Sequence, residues 1–258
     1  MTSNLTDNTL DLDQAITSIK IWDQIRDAAQ KSLRSEPVLE KMAHHIVLSS
    51  KDMAQGLGRL LSHQQPDTLV SREELEELFS FVAERAPQII TFAAADLEAV
   101  CERDPAATDF FVPFLYFKGF HAIQMHRFAY WLWQNGRQDM ALFLQNRSSV
   151  LYGVDIHPAA KLGKRIVFDH ATGIVIGETA VVEDDVSLFH GVTLGGTGKE
   201  RKDRHPKVRQ GAMVGAGSIL LGNIEIGHHA RVAAGSVVLK DVRAHATAAG
   251  SPAKEVRG

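Results

Sequence analysis

The segment Asp169-His170-Ala171-Thr172-Gly173 places an imidazole beside a carboxylate, and Asp155 lies fifteen residues before that histidine. A histidine of ordinary pKa, near 6.5, accepts a proton around neutral pH. A carboxylate in contact orients the ring and stabilises its protonated form, so the group suits general-base catalysis on a hydroxyl. The alternative is a histidine that only caps a turn. A second segment, Asp203-Arg204-His205-Pro206-Lys207, again sets a histidine beside charged groups. Cys101 is the single cysteine, which excludes an internal disulfide and a cysteine-rich metal site. In its helical surroundings it reads as a small buried hydrophobe.

Both histidines fall where a regular pattern breaks. Ile156, Leu162 and Phe168 are spaced in sixes, as are Ile176, Val182, Leu188 and Leu194, and then Val208, Val214, Leu220, Ile226, Val232 and Val238. A period of six fits neither a helix nor a simple amphipathic strand. It fits a β-solenoid in which each hexapeptide supplies one short strand and a bend. The residue two places before each anchor is mostly small or aliphatic, as strand alternation requires of positions on one face. Gly163, Gly177, Gly195, Gly215 and Gly227 come directly after anchors. The step from Phe168 to Ile176 is eight residues, and that from Leu194 to Val208 is fourteen. Surplus residues in a solenoid must bulge or loop outward, because the interior has no room. Here they are Asp169 to Gly173 and a loop at 195–207, and loops on a rigid scaffold are where functional groups sit. With three hexapeptides to a coil, Asp155 is expected one layer from His170 and about three residues along, a spacing that permits contact.

The chain before the solenoid reads as helical. Ile16, Ile19, Trp22, Ile25 and Ala29 form one apolar stripe. Ser71 and Glu74 make a capping box at the start of another helix, and Pro87 interrupts the chain beyond it. The stretch from Phe117 to Trp133 is apolar on several faces, with His121, His126 and Arg127 as satisfied packing residues. Of the 20 glycines, 4 precede residue 151, which divides the chain into a helical domain, 1–150, and a solenoid domain, 151–258. The formal charge of −3 leaves no basic excess for nucleic acid. No apolar run approaches the ~18 residues of a membrane span. The acidic, polar N-terminus is neither a secretory signal nor a transit peptide. A soluble, cytoplasmic protein is expected.

These segments resemble the serine acetyltransferase family. The likeness rests on Asp155-Ile156-His157-Pro158, on Asp169 to Gly173, on Gly177-Glu178-Thr179-Ala180, on Val192 to Gly198 and on Asp203 to Lys207. It extends to Arg103-Asp104-Pro105, Lys118 to Ala122 and Ala249 to Ala253. The resemblance implies an α+β fold: a helical N-terminal domain, serving oligomerisation and part of the serine site, then a left-handed parallel β-helix of hexapeptide repeats with one protruding loop and a short C-terminal tail. It implies homotrimers or dimers of trimers with active sites between neighbouring prisms. The implied reaction moves the acetyl group of acetyl-CoA to L-serine, with no permanently bound cofactor and no metal, under feedback inhibition by L-cysteine.

The same resemblance assigns roles. His170 becomes the general base for direct attack, and Asp155 holds its ring. Arg204 and His205 meet the serine carboxylate, and Asp104 and Asp169 its ammonium. Gly196 and Ala216 let the pantetheine arm approach the wall. A helix cap before Pro105 is the competing reading of Asp104, and Lys199, Arg201 and Lys202 read as solvated loop. His190 has no role by this route. Family members that bind cysteine synthase carry a tail ending in isoleucine, whereas this sequence stops at Val256-Arg257-Gly258, so either the chain is shortened or that complex does not form by that route. The alternatives are a sugar or antibiotic O-acetyltransferase of the same superfamily, a β-helical carbonic anhydrase with His157, His170 and His205 on zinc, and a non-catalytic scaffold.

Overall fold

The hexapeptide anchors become the inner wall of a parallel β-solenoid of about five turns in the computed structural model, which describes residues 4–64, 69–199 and 201–256. Its strands are β1 (Val154–Ile156), β2 (Lys161–Leu162), β3 (Val167–Asp169), β4 (Ile174–Ile176), β5 (Val181–Val182), β6 (Ser187–Phe189), β7 (Thr193–Gly195) and β8 (Lys207–Val208). They continue as β9 (Met213–Val214), β10 (Ile219–Leu221), β11 (Glu225–Ile226), β12 (Arg231–Val232), β13 (Val237–Val238), β14 (Thr247–Gly250) and β15 (Ala253–Val256). Every third strand stacks. The first face is β1-β4-β7-β10-β13, the second β2-β5-β8-β11, and the third β3-β6-β9-β12-β14-β15. Pairing is parallel except for β15, which returns antiparallel on β14.

Register turns the hexad into three columns. Ile156, Ile176, Leu194, Leu220 and Val238 stack on the first face. Leu162, Val182, Val208 and Ile226 stack on the second. Phe168, Leu188, Val214 and Val232 stack on the third, ending on Ala248. All of the anchors are buried except Leu162, which is half-buried; a fully buried aliphatic side chain contributes roughly 2 kcal/mol. Corners into the first and third faces put the residue three before the anchor in the left-handed region, among them Gly153, Gly173, Gly191 and Gly217, and also Arg165 and Asp185. Corners from the first face to the second have no such residue. The glycines after anchors answer a different need: a Cβ on Gly215 would lie 2.7 Å from the Ala234 amide nitrogen of the next coil.

Ahead of the solenoid lie α1 (Asn4–Ser35), a 3-10 turn (Pro37–Leu39), α2 (Glu40–Ala43), a π-turn (His44–Leu48), α3 (Met53–His63), α4 (Arg72–Arg85), α5 (Gln88–Arg103) and α6 (Phe111–Tyr116). These form one compact unit ending at Tyr116. The capping box is formed: Ser71 Oγ accepts from Glu74 N at 3.2 Å and Glu74 Oε2 from Ser71 N at 2.8 Å. The α1 stripe is rotated from expectation. Ile21, Trp22, Ile25 and Ala29 are buried, while Ile16 and Ile19 are 40% and 61% exposed, because the apolar face drifts around so long a helix. Cys101 is half-buried rather than fully buried, its Sγ 3.4 Å from the Asp109 carbonyl oxygen. No helix among the described residues is long and apolar enough to cross a membrane.

The second unit, Phe117–Gly258, holds two more helices, α7 (Lys118–Gln134) and α8 (Gln138–Tyr152), together with the solenoid. An open solenoid edge presents unpaired backbone groups, which must be satisfied. The α7–α8 hairpin supplies the donors. His126 Nε2 donates to the Ala160 carbonyl at 3.1 Å, Arg127 Nη2 to that of Gly163 at 2.8 Å, and Ser148 Oγ to that of Val154 at 3.1 Å. Gly119 is required here, because a Cβ would collide with the Phe168 carbonyl oxygen. Burial, chiefly, pushes the His126 pKa down to about 3. The unfolded chain therefore binds a proton that the folded one refuses, and stability falls as pH drops below 6.5. Chemical unfolding between pH 6.5 and 4 is expected to show up to about 1.4 kcal/mol of lost stability per pH unit from this residue, and His126→Gln to remove that part of the slope.

Candidate active site

The eight-residue step is a bulge at the corner from the third face to the first. His170 and Ala171 take φ of 55° and 60°, and Ala171 turns inward and is fully buried, anchoring the bulge. This inversion throws the His170 side chain outward, 77% exposed, with Nε2 3.8 Å from Asp169 Oδ1. Lys118 Nζ donates to Thr172 Oγ1 and ties the bulge to α7. One coil on, at the same corner, the His190 ring meets that of His170 edge-to-face, with centroids 5.9 Å apart. His190 thus adjoins the candidate base.

Asp155 points outward from β1 and pairs in register with Val175. The two surplus residues in the bulge place that partner five positions past His170, further than a regular hexad count allows. The Asp155 carboxylate is held by Gln145 Nε2 at 2.6 Å, and it is the Asp169 carboxylate that lies beside the His170 ring.

The fourteen-residue step emerges at the corner from the first face to the second, where three successive coils contribute. His157 follows β1, Gly177-Glu178-Thr179 follows β4, and residues 196–206 follow β7. The loop folds back on this corner rather than projecting freely. Thr179 Oγ1 accepts from the backbone amides of Arg204 and His205, at 3.0 and 3.1 Å. His205 Nδ1 lies 2.9 Å from the same hydroxyl and accepts from the Thr179 amide at 3.1 Å. That amide donation assigns the ring proton to Nε2. Lys207 Nζ braces the base of the loop through the Thr179 carbonyl at 2.8 Å and Asp203 Oδ1 at 2.6 Å.

Electrostatics separate these groups. His205 is only 7% exposed. Burial first, then the Arg204 and Lys207 charges, hold its pKa below the usual histidine value against the pull of Glu178. His157 is lowered by burial too, with Glu178 and Asp155 acting against it, and its ring lies edge-on to Trp133 at 5.0 Å. The Arg204 guanidinium donates to Glu178 Oε2 at 2.7 Å and keeps that carboxyl below the ordinary carboxylate range.

Of the expected site residues, Asp169 and His170 come together at one corner, and Arg204 and His205 at the next. Asp104 belongs to the first unit, as the C-terminal cap of α5, its Oδ1 accepting from the Ala106 amide at 2.9 Å. That geometry matches the helix-cap reading. Gly196 faces the Arg204 stem, which a Cβ would approach to 3.4 Å. Ala216 lines an open cavity of about 380 Å³ on the third face, with Phe189, Met213, Arg231 and Thr247. Lys199, Arg201 and Lys202 are exposed. Among the described residues no three His, Cys, Asp or Glu side chains are grouped to hold a metal ion. Gln145, Glu178, Thr179 and Lys207 escaped the residue-by-residue reading; the one available signal was that Glu178 and Arg204 stand at matching heights on adjacent coils.

A family model described as serine acetyltransferase, N-terminal, matches residues 21–125, and a second, bacterial transferase hexapeptide (six repeats), matches residues 205–240. The serine acetyltransferase of Haemophilus influenzae is 48% identical over 239 residues, covering 93% of this chain and 90% of that protein. The crystal structure of serine acetyltransferase from Brucella abortus strain S19 in complex with coenzyme A superposes with a TM-score of 0.90 at 47% identity, over 92% of this chain and 95% of the other. A serine acetyltransferase solved in complex with cysteine superposes with a TM-score of 0.91 at 48% identity, over 93% and 100% of the two chains.

Within the corner, Gly177 leaves the space that the His205 ring fills, since a Cβ there would collide with Nε2. Gly177→Ala is expected to displace the imidazole from Thr179 and to lower stability by about 1–3 kcal/mol. In a His205→Ala background the same substitution should be nearly silent, a non-additivity read directly from chemical unfolding.

Proposed function

The chain belongs to the serine acetyltransferase family, and we propose that it joins L-serine and acetyl-CoA at a site completed by two neighbouring prisms. The reaction yields O-acetylserine and CoA. The observation that carries this reading is the placing of the two histidine corners on either edge of the first face. Down the outside of that face run Val175, Thr193, Ile219 and Val237, with Val175 and Ile219 41% and 37% exposed. The second face instead shows Lys161, Lys207 and Glu225, with Val181 among them. An apolar outer face needs cover. Turning it toward a three-fold axis carries the His170 corner of one prism to the Arg204–His205 corner of the next. We assign a trimer, or a dimer of trimers, on this ground, with the helical residues 1–150 given their part in oligomerisation by family likeness, and a cytoplasmic setting.

In this reading, Arg204 and His205 Nε2–H bind the serine carboxylate. Glu178 fixes the guanidinium, and the depressed pKa of His205 keeps the ring a neutral donor at pH 7. Asp169 takes the ammonium, with Asp104 assigned to it by its Arg103-Asp104-Pro105 motif alone. His170 removes the hydroxyl proton as the serine oxygen attacks the thioester carbonyl. The C–S bond then breaks, and the imidazolium returns the proton to the departing CoA sulfur. By family likeness, Asp155 is given the task of orienting the imidazole. The pantetheine arm runs by Gly196 and Ala216. Attack is direct: burial, with nearby Asp109, Asp104 and Glu102, holds the Cys101 thiol up at about 11, so it is no nucleophile at neutral pH. L-Cysteine, which differs from serine by sulfur for oxygen, competes for the same carboxylate clamp.

His170→Ala is expected to lower serine-dependent release of CoA thiol by about 10²–10⁴-fold with unchanged melting; near-normal release would refute the assignment. Co-assembly of His170→Ala chains with Arg204→Ala chains in equal amounts should restore activity in about a quarter of the sites, where intact halves meet across an interface. Mixtures as inactive as their parents would show that the site lies within one chain.

A further inference from the structure

We infer that Gln145 positions Asp155 for the proposed acetyl transfer, an inference that rests on that reading of the site. Asp155 stands on the outer side of β1, between the buried Val154 and Ile156. From there its carboxylate meets α8, where Gln145 Nε2 donates to Oδ1 at 2.6 Å. One turn along the same helix, Ser148 Oγ donates to the Val154 carbonyl at 3.1 Å, and the helix ends on left-handed Gly153 immediately before β1. Helix and strand are thus locked together at Asp155 and at the two residues before it. An outward carboxylate without such a partner samples several rotamers. The amide bond occupies one oxygen, sets the carboxylate plane, and leaves Oδ2 for an imidazole N–H.

The choice of an amide matters. A lysine or arginine would orient Asp155 equally well but would cancel its negative field, and that field is what stabilises a protonated imidazole. Glutamine orients the carboxylate and leaves its charge intact. The side chain is half-buried beside a small cavity lined by Met125, Ala129, Leu144 and Ile156 together with His126 and Ser148, so an uncharged side chain of similar size is accommodated there.

The test compares Gln145→Leu, Asp155→Asn and the double variant by CoA thiol release with both substrates saturating. Gln145→Leu is expected to lower kcat about 10-fold, with KM for acetyl-CoA within about twofold. In the Asp155→Asn background it should lower kcat no further. Wild-type kcat in Gln145→Leu, or two losses that multiply, would overturn the inference while leaving the role of Asp155 standing. Wild-type kcat in Asp155→Asn would overturn the Asp155 assignment itself and Gln145 with it. Should Gln145→Leu fail to assemble, as judged by melting and sedimentation, Gln145→Asn carries the same expectation, because the shorter amide does not reach Oδ1.

Discussion

The governing constraint is the volume inside a three-sided coil. Each short strand sends its anchor into a column already filled above and below, as Leu188 is by Phe168 and Val214. An extra inward side chain fits only if it is small, as Ala171 is, and the other residues beyond the hexad leave the wall at a corner. Chemistry on this scaffold is therefore corner chemistry. Two surplus residues invert the backbone at His170 and expose its ring, and the end of the larger surplus, Arg204 to Pro206, folds down over an older coil and buries His205.

That difference in burial decides what the two imidazoles can do. His170 is largely in water, beside the Asp169 carboxylate. His205 is sealed between Thr179 and the space above Gly177, with cations on both sides, and its pKa is depressed. One ring is suited to carry a proton through a reaction; the other is held neutral, with its tautomer assigned, as a fixed donor. The two types of corner differ in the same way. Left-handed residues three before the anchor turn the chain into the first and third faces, while at the corner into the second face that position is not left-handed and side chains brace the turn.

The solenoid was legible because its signal repeats. An aliphatic residue every six positions needs no partner information, and both interruptions were visible by subtraction. Interactions between coils were legible only in part: equal distance from the anchors Val182 and Val208 sets Glu178 level with Arg204 and Thr179 with His205, but no periodicity says that an insertion returns to that register. Composition also concealed the kinship of α7 and α8. They are helical like the elements before them, yet His126, Arg127 and Ser148 serve the edge carbonyls of the first coil. The α1 stripe misled for a simpler reason. A long helix supports more than one spacing of threes and fours, and only packing chose Ile21 over Ile19.

The first coil shows why a solenoid that works at its corners also needs its end closed. Its outward Asp155 has a later coil on one side only, and on the other it meets α8 instead of a strand. Where a central coil would present an identical rung, the hairpin presents chosen side chains: an imidazole, a guanidinium, a hydroxyl and an amide. Edge satisfaction and site orientation thereby become a single task, performed by two neighbouring donors on α7 and two donors a turn apart on α8. The end of a repeat array is the one place where such donors can be set without disturbing the repeat, which accounts for a carboxylate of the proposed site lying in the first strand.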